Sequence, residues 1–169
     1  MYETAEAMQH LQDLLDRSIE QAGAFLRRSF EMPDHSLSAR QLVHFWQRVQ
    51  IIALATVTRN GEPRVAPIGA LLLRGRFYIP TVMTAARTQH ILRRPTVSFT
   101  LYQGNDVAVI AHGSATIIQV EHPDFSDIEM FQREATDASV QEWGEGIFLQ
   151  IQPATLFTYA RDIDHFAEG

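Results

Sequence analysis

The chain has no cysteine and no lysine. Without thiols there is no disulfide, no thiolate nucleophile and no cysteine-ligated metal. Without a lysine amine, Schiff-base mechanisms and covalent pyridoxal phosphate enzymes are excluded. Long apolar runs are missing too. The longest, Ile51–Val57 and Ala70–Leu73, are strand-sized and far short of the ~20 residues of a spanning helix. The opening MYETAEAMQH carries acids where a secretion signal would carry basic residues and an apolar block, so a cytoplasmic protein is expected.

Several chemistries lack their motifs. The seven histidines, His10, His35, His44, His90, His112, His122 and His165, show no close ligand spacing and no HExxH, so no metal site is expected. No G-x-S-x-G elbow is present for Ser-His-Asp hydrolysis. Gly144-Glu145-Gly146 lacks the third glycine and following helix of a dinucleotide fingerprint. A net charge of −6 argues against a nucleic-acid partner.

What is present is apolar material for one core, 46% of 169 residues, and an uneven charge. Residues 51–100 hold seven arginines (Arg59, Arg64, Arg74, Arg76, Arg87, Arg93, Arg94) against one acid, Glu62. That segment is +6 and the remainder −12, which points to a local anionic ligand.

Hydrophobic periodicity predicts a helix over residues 3–30, with Met8, Leu11, Leu14, Leu15, Ile19, Ala22, Phe25 and Leu26 on one stripe that packs on the barrel or a partner subunit. Ser36 or Ser38 caps a second helix running to about Gln47, and Gln41 stands at the capping-box distance from Ser38. Phe45 and Trp46 are expected to dock it on the barrel end, with His44 structural. Strands are predicted near Ile51–Thr58, Pro63–Leu73, Arg76–Pro80, Thr96–Gln103 and Val107–Val120. Two more, Ile147–Gln152 and Ala154–Ala160, meet at Pro153. Asn60-Gly61 reads as a two-residue type I′ hairpin turn, and Arg74-Gly75-Arg76 also breaks the apolar runs. Gly113 inside a strand signals a bend or a close backbone approach. Helical segments are expected near Thr84–Arg93 and from Pro123 to about Trp143. The polar tail from Arg161 is expected to fray.

The first candidate site is an anion clamp of Thr81, Thr84, Arg87 and Thr88. Thr84 stands where the helix N-cap would fall. Arg87 lies in the first turn, where a cation is disfavoured by the helix dipole unless it meets an anion. An arginine can hold phosphate through two parallel hydrogen bonds. The same residues also read as an ordinary threonine cap followed by a solvated arginine. The second candidate is Arg64-Val65-Ala66-Pro67-Ile68. Proline within a strand needs an edge, a bulge or a terminus, which fits a strand leaving room for a flat ligand or a plain barrel irregularity.

Three strands in a meander, "Tyr-x-x-Thr" at Tyr78–Thr81, a small-residue turn, the basic Arg87, a helix and "Arg-Arg-Pro-x-Val-Ser" at Arg93–Ser98 together resemble the pyridoxamine 5′-phosphate oxidase-like superfamily. The likeness covers residues 40–160. It implies a mostly β chain with helices, a six- to seven-stranded antiparallel split β-barrel whose flavin-binding domain spans residues 37–160. The periodicity adds a helical extension over residues 1–36, which split-barrel enzymes often lack, and the polar tail takes 161–169. It further implies a homodimer holding FMN non-covalently at the subunit interface, with coenzyme F420 as the alternative. Arg64, Val65, Ala66, Pro67, Ile68, Ile79, Pro80, Thr81, Thr84, Arg87 and Thr88 would make the cofactor contacts. Arg59, Arg64 and Arg94 suit the longer anionic tail of F420.

The chain departs from authentic pyridoxamine phosphate oxidases. Their Arg-x-x-Leu-Leu-Lys run falls on Ala66–Leu71, so both cations are gone. Their Ser-Arg-Lys triplet falls on Ala85-Ala86-Arg87, leaving one cation, and their Arg-Gln pair is Val107-Ala108. Their C-terminal Arg-x-His has no match, since Arg161 and His165 are four apart. The resemblance therefore implies a flavin- or F420-dependent oxidoreductase moving hydride to or from a small organic substrate rather than vitamin B6. A non-catalytic flavin- or haem-binding protein on the same fold is the rival reading.

Overall fold

A computed structural model describes residues 3–166. Six strands, β1 (Gln50–Val57), β2 (Pro63–Leu73), β3 (Arg76–Val82), β4 (Thr96–Gln103), β5 (Val107–Ile118) and β6 (Gly146–Ala160), close an antiparallel barrel in the order β1-β2-β3-β6-β5-β4. Helices α1 (Ala5–Gln21), α2 (Ala24–Ser29) and α3 (Ala39–Phe45) precede it; α4 (Ala86–Arg93) and α5 (Phe125–Thr136) are inserted between strands. Alternation along β1 and β4 sends Ile52, Leu54, Val97, Phe99 and Leu101 inward.

Trp46 plugs one barrel end. Its ring lies edge-on to Phe77 at 5.0 Å, and its Nε1–H donates to the Ala70 carbonyl at 2.9 Å. The indole is thus buried with its only polar atom satisfied. The predicted capping box on α3 is present: the Gln41 amide donates to Ser38 Oγ, and the Ser38 amide to Gln41 Oε1. His44 is exposed and lies against Gln47.

Five expectations are corrected. The helix over 3–30 is two helices, parted at Ala22-Gly23. Both residues are extended, so the stripe is interrupted and Phe25 is exposed. α1 alone covers the barrel, burying Leu11, Leu14 and Leu15, while Ser18 Oγ accepts from the Leu156 amide. The type I′ hairpin is at Arg74-Gly75, both with positive φ, and not at Asn60-Gly61. Residues 59–61 instead form a three-residue loop with only Gly61 left-handed, closed by the Thr58 amide to the Glu62 carbonyl. A non-glycine residue is uncommon at positive φ, and Arg74 is held there from outside the hairpin. Its amide donates to Glu3 and its guanidinium meets Asp127 at 2.7 Å.

Pro153 does not end a strand. β6 runs through it as a bulge: Gly113 faces Pro153 while His112 faces Thr155, so Ala154 is one residue in excess. A Cβ on Gly113 would stand 2.1 Å from the Gln152 carbonyl oxygen, which is why glycine occupies the position. The helical segment after Pro123 ends at Thr136, where left-handed Asp137 stops it; Val140–Trp143 is a separate 3-10 turn. Of the tail, Ile163–Phe166 forms a 3-10 turn with Phe166 edge-on to Phe45, whereas residues 167–169 lie outside the described range.

Candidate functional site

β2 and β3 pair only where Leu71–Leu73 meets Arg76–Tyr78, and beyond that they part. Residues 63–70 bond to β1 alone, and Ile79–Val82 to β6 alone. The two stretches therefore share no ladder; Arg64, Val65 and Pro67 on the β2 side are exposed, whereas Ile79 and Thr81 on the β3 side are buried. Pro67 sits on this open part of β2, where a residue lacking an N–H is tolerated.

The candidate residues of β2 divide between two faces. Arg64, paired with Thr56, shares its face with Ala66 and Ile68. Val65 and Pro67, paired with Ala55 and Ala53, point out of the barrel. Arg64 is exposed and held by Glu62 at 2.8 Å. On β3, Ile79 is wholly buried, backbone included, and so is not a contact residue, whereas Pro80 is half-buried beside it.

β3 leads through the turn Met83-Thr84-Ala85 into α4. Here the structure joins two of the predicted clamp residues. Arg87 donates from Nη1 to Thr81 Oγ1 at 3.3 Å, and no carboxylate lies within 4 Å of it among the described residues. The Thr81 hydroxyl accepts this bond and keeps its own proton to donate. The amides of Ala86 and Arg87 have no acceptor among the described residues, as expected at a helix start. The remaining two clamp residues fall elsewhere. The N-cap is Ala85 and not Thr84, which lies one residue earlier, exposed in the turn. Thr88 is fully buried and donates its hydroxyl to the Val82 carbonyl at 2.9 Å, which holds α4 to the end of β3.

Other contacts set this corner. Gln89 Nε2 donates to the Met83 carbonyl, and the Met83 amide to the Glu145 carbonyl. His90 Nδ1 lies 2.8 Å from Thr56 Oγ1 and ties α4 to β1. Sequence reasoning missed that pair. Its one local signal is the polar Thr56 within the apolar run of β1. At the far end of α4, Arg94 reaches the Arg59 carbonyl at 3.4 Å, so two further arginines gather near the β1–β2 loop.

Chemically, the corner offers a cation, a hydroxyl and helix-start amides for an anion, and exposed backbone on β2 for a planar group. The sequence profile of the pyridoxamine 5′-phosphate oxidase family matches residues 38–157. Among solved structures, the chain is similar to a conserved hypothetical protein from Mycobacterium tuberculosis (TM-score 0.63, 18% identity, covering 76% of this chain and 88% of that one). It is also similar to an F420 reductase (0.55, 13%, 68% and 94%). A third is a pyridoxamine 5′-phosphate oxidase-related, FMN-binding protein from Nostoc punctiforme (0.54, 17%, 70% and 77%). At these identities the likeness shows the fold. No curated protein matches the sequence.

Proposed function

Because the chain belongs to the pyridoxamine 5′-phosphate oxidase family, we propose that it is an FMN-dependent oxidoreductase acting on a small organic substrate. The observation that supports this reading is the parting of β2 and β3 next to the Thr81–Arg87 pair. A phosphorylated planar cofactor needs a fixed cation with hydroxyl and amide donors at one end and accessible backbone along the ring. The corner supplies both.

FMN, when bound, supplies hydride transfer, and the protein binds and orients it. Arg87 and Thr81 would hold the phosphate, with the Ala86 and Arg87 amides behind them. Backbone of Arg64–Ile68 would meet the ring system, with the half-buried Pro80 beside it. Thr88 and His90 act through α4 and keep Arg87 in place.

A second copy of this chain completes the reading. The outer face of β1, β2 and β4 carries Ile51, Val65 and Tyr102, 63%, 66% and 70% exposed, between small or apolar Ala53, Ala55 and Pro67. Such a surface favours association face to face, and Val65 and Pro67 place it beside the cofactor strand.

F420 is the second reading, favoured by Arg59 and Arg94, which extend the positive surface beyond Arg87. The test is the absorption spectrum of the purified protein, followed by titration of stripped protein with FMN and with F420. Saturable FMN binding by a dimer in light scattering supports the proposal. Preference for F420 moves it to the second reading, and a haem Soret band overturns both.

A further inference from the structure

A second cavity lies away from that corner. It has a volume of about 540 Å³ and is bounded by α1, the β2–β3 hairpin, the β6 bulge and the start of α5. Two of its lining residues, Gln152 and Tyr78, are joined by a directed hydrogen-bond chain through Gln150, which lies behind them. Gln152 Nε2 donates to Gln150 Oε1 at 3.0 Å, and Gln150 Nε2 donates to the Tyr78 hydroxyl oxygen at 2.9 Å. Gln150 and Tyr78 are each 4% exposed. Each donor in this chain points the same way, which leaves the Tyr78 O–H as the free donor at its end. Burial raises the Tyr78 pKa above its ordinary value, so that proton stays in place at neutral pH.

Charges of both signs line the same cavity. Arg76 and Arg17 are cations; Glu6 and Asp124 are carboxylates. Arg74 also lines it but is neutralised by Asp127. Among the described residues, neither Arg17 nor Arg76 forms an ion pair with Glu6 or Asp124; Asp124 lies 3.9 Å from His122, and Arg76 reaches the Tyr78 hydroxyl. Opposite charges that share a cavity without pairing with one another leave room between them for a ligand that meets both signs. A ligand with one charge of each sign satisfies both pairs at once. A dianion meets two carboxylates, and a simple cation meets two arginines.

We propose that this cavity binds a small zwitterion of the amino-acid class, a free amino acid or short peptide, with its carboxylate on Arg76 and the Tyr78 hydroxyl and its ammonium toward Glu6 and Asp124. Arg17 adds to the positive side. The cavity shares no residue with the β3–α4 corner, so the site is separate from the cofactor.

The experiment is calorimetric titration of the full-length protein with each of the twenty common amino acids and glycylglycine, repeated with the N-acetylated and amidated forms of whichever binds. Saturable binding is expected, weakened about tenfold or more by blocking either end. Arg17→Gln and Arg76→Gln, both of exposed residues, should each weaken it by a similar factor while leaving the melting temperature unchanged. Arg87→Ala should leave it intact. Absence of saturation by every probe overturns the site. Binding that survives N-acetylation, ignores both Arg17→Gln and Arg76→Gln, or is abolished by Arg87→Ala also overturns it.

Discussion

His90 Nδ1 and Thr56 Oγ1, 34 residues apart in sequence, stand 2.8 Å from each other and join α4 to β1. Thr56 is buried and His90 half-buried, so the bond is shielded without being sealed from solvent. Thr56→Val keeps the shape and removes the hydroxyl. It should cost about 0.5–1.5 kcal/mol of stability, the usual net worth of one hydrogen bond. Cofactor affinity should fall a few-fold with it, because the helix that carries Arg87 loses a tether. Denaturant unfolding and FMN titration read the two effects. Unchanged affinity would mean that Thr88 and Gln89 suffice to position α4.

Arg87 is the most direct test of the proposed cofactor corner. A hydrogen bond to a charged group is worth about 1.5–3 kcal/mol, so Arg87→Ala should weaken FMN binding by roughly one to two decades. The cofactor-free protein should melt nearly unchanged, since the substitution removes a long 3.3 Å bond to Thr81 and a first-turn cation that the helix dipole mildly disfavours. The opposite pattern, intact affinity with a destabilised apo protein, would make Arg87 a structural residue.

Gly113 tests the bulge. A methyl group there would collide with backbone, the Gln152 carbonyl oxygen at 2.1 Å and Pro153 Cα at 2.8 Å. Backbone cannot rotate aside as a side chain can. Gly113→Ala should therefore destabilise by about 1–3 kcal/mol or more, as overpacking does, and Gly104→Ala, in open space but at positive φ, should cost less. Thermal melts of the two variants decide it.

The absence of lysine simplifies the alkaline side of the titration. Apart from arginine, which stays charged, tyrosines are the side chains that ionise between about pH 9 and 12. Burial raises the Tyr78 pKa above 10.0, so between 10.0 and the raised value the folded chain binds more protons than the unfolded one. Stability contributed by the neutral phenol is complete below pH 10 and is lost as pH rises through the folded value. Phenolate absorbance should show one tyrosine ionising late, and Tyr78→Phe should remove that late step. A titration in which the late step survives the substitution would assign it to another tyrosine.

How far the sequence alone reveals this molecule depends on the range of the force concerned. β2 and β4 begin and end where alternation and turn residues predict, because a strand's pleat and its punctuation are local. The capping box on α3 is legible for the same reason. The place of the hairpin at Arg74-Gly75 is legible from the strand ends, but its type I′ turn is not, because Glu3 and Asp127, 71 and 53 residues away, hold Arg74 at positive φ. In the candidate site, the Thr81–Arg87 pair spans six residues and can be inferred from one turn entering a helix. Thr88 shows the limit. As a letter it is one more hydroxyl beside Arg87, but the helix phase turns it inward to Val82. Thr56 and His90 meet only once the barrel closes.

The extra residue Ala154 acts on β6 as a frameshift acts on a message. A strand is read in pairs, and up to the bulge the odd-numbered residues Ile147, Leu149 and Ile151 enter the core. After it the even-numbered Leu156 and Ala160 do so. One surplus position has exchanged odd for even halfway along a single strand. The identity of residue 154 therefore matters little, because the position has no partner on β5. Its deletion would bring Pro153 and Thr155 into one unbroken ladder with Gly113 and His112 and keep Leu156 and Ala160 facing the core, so the bulge is what lets β6 carry one residue more than its partner without losing phase.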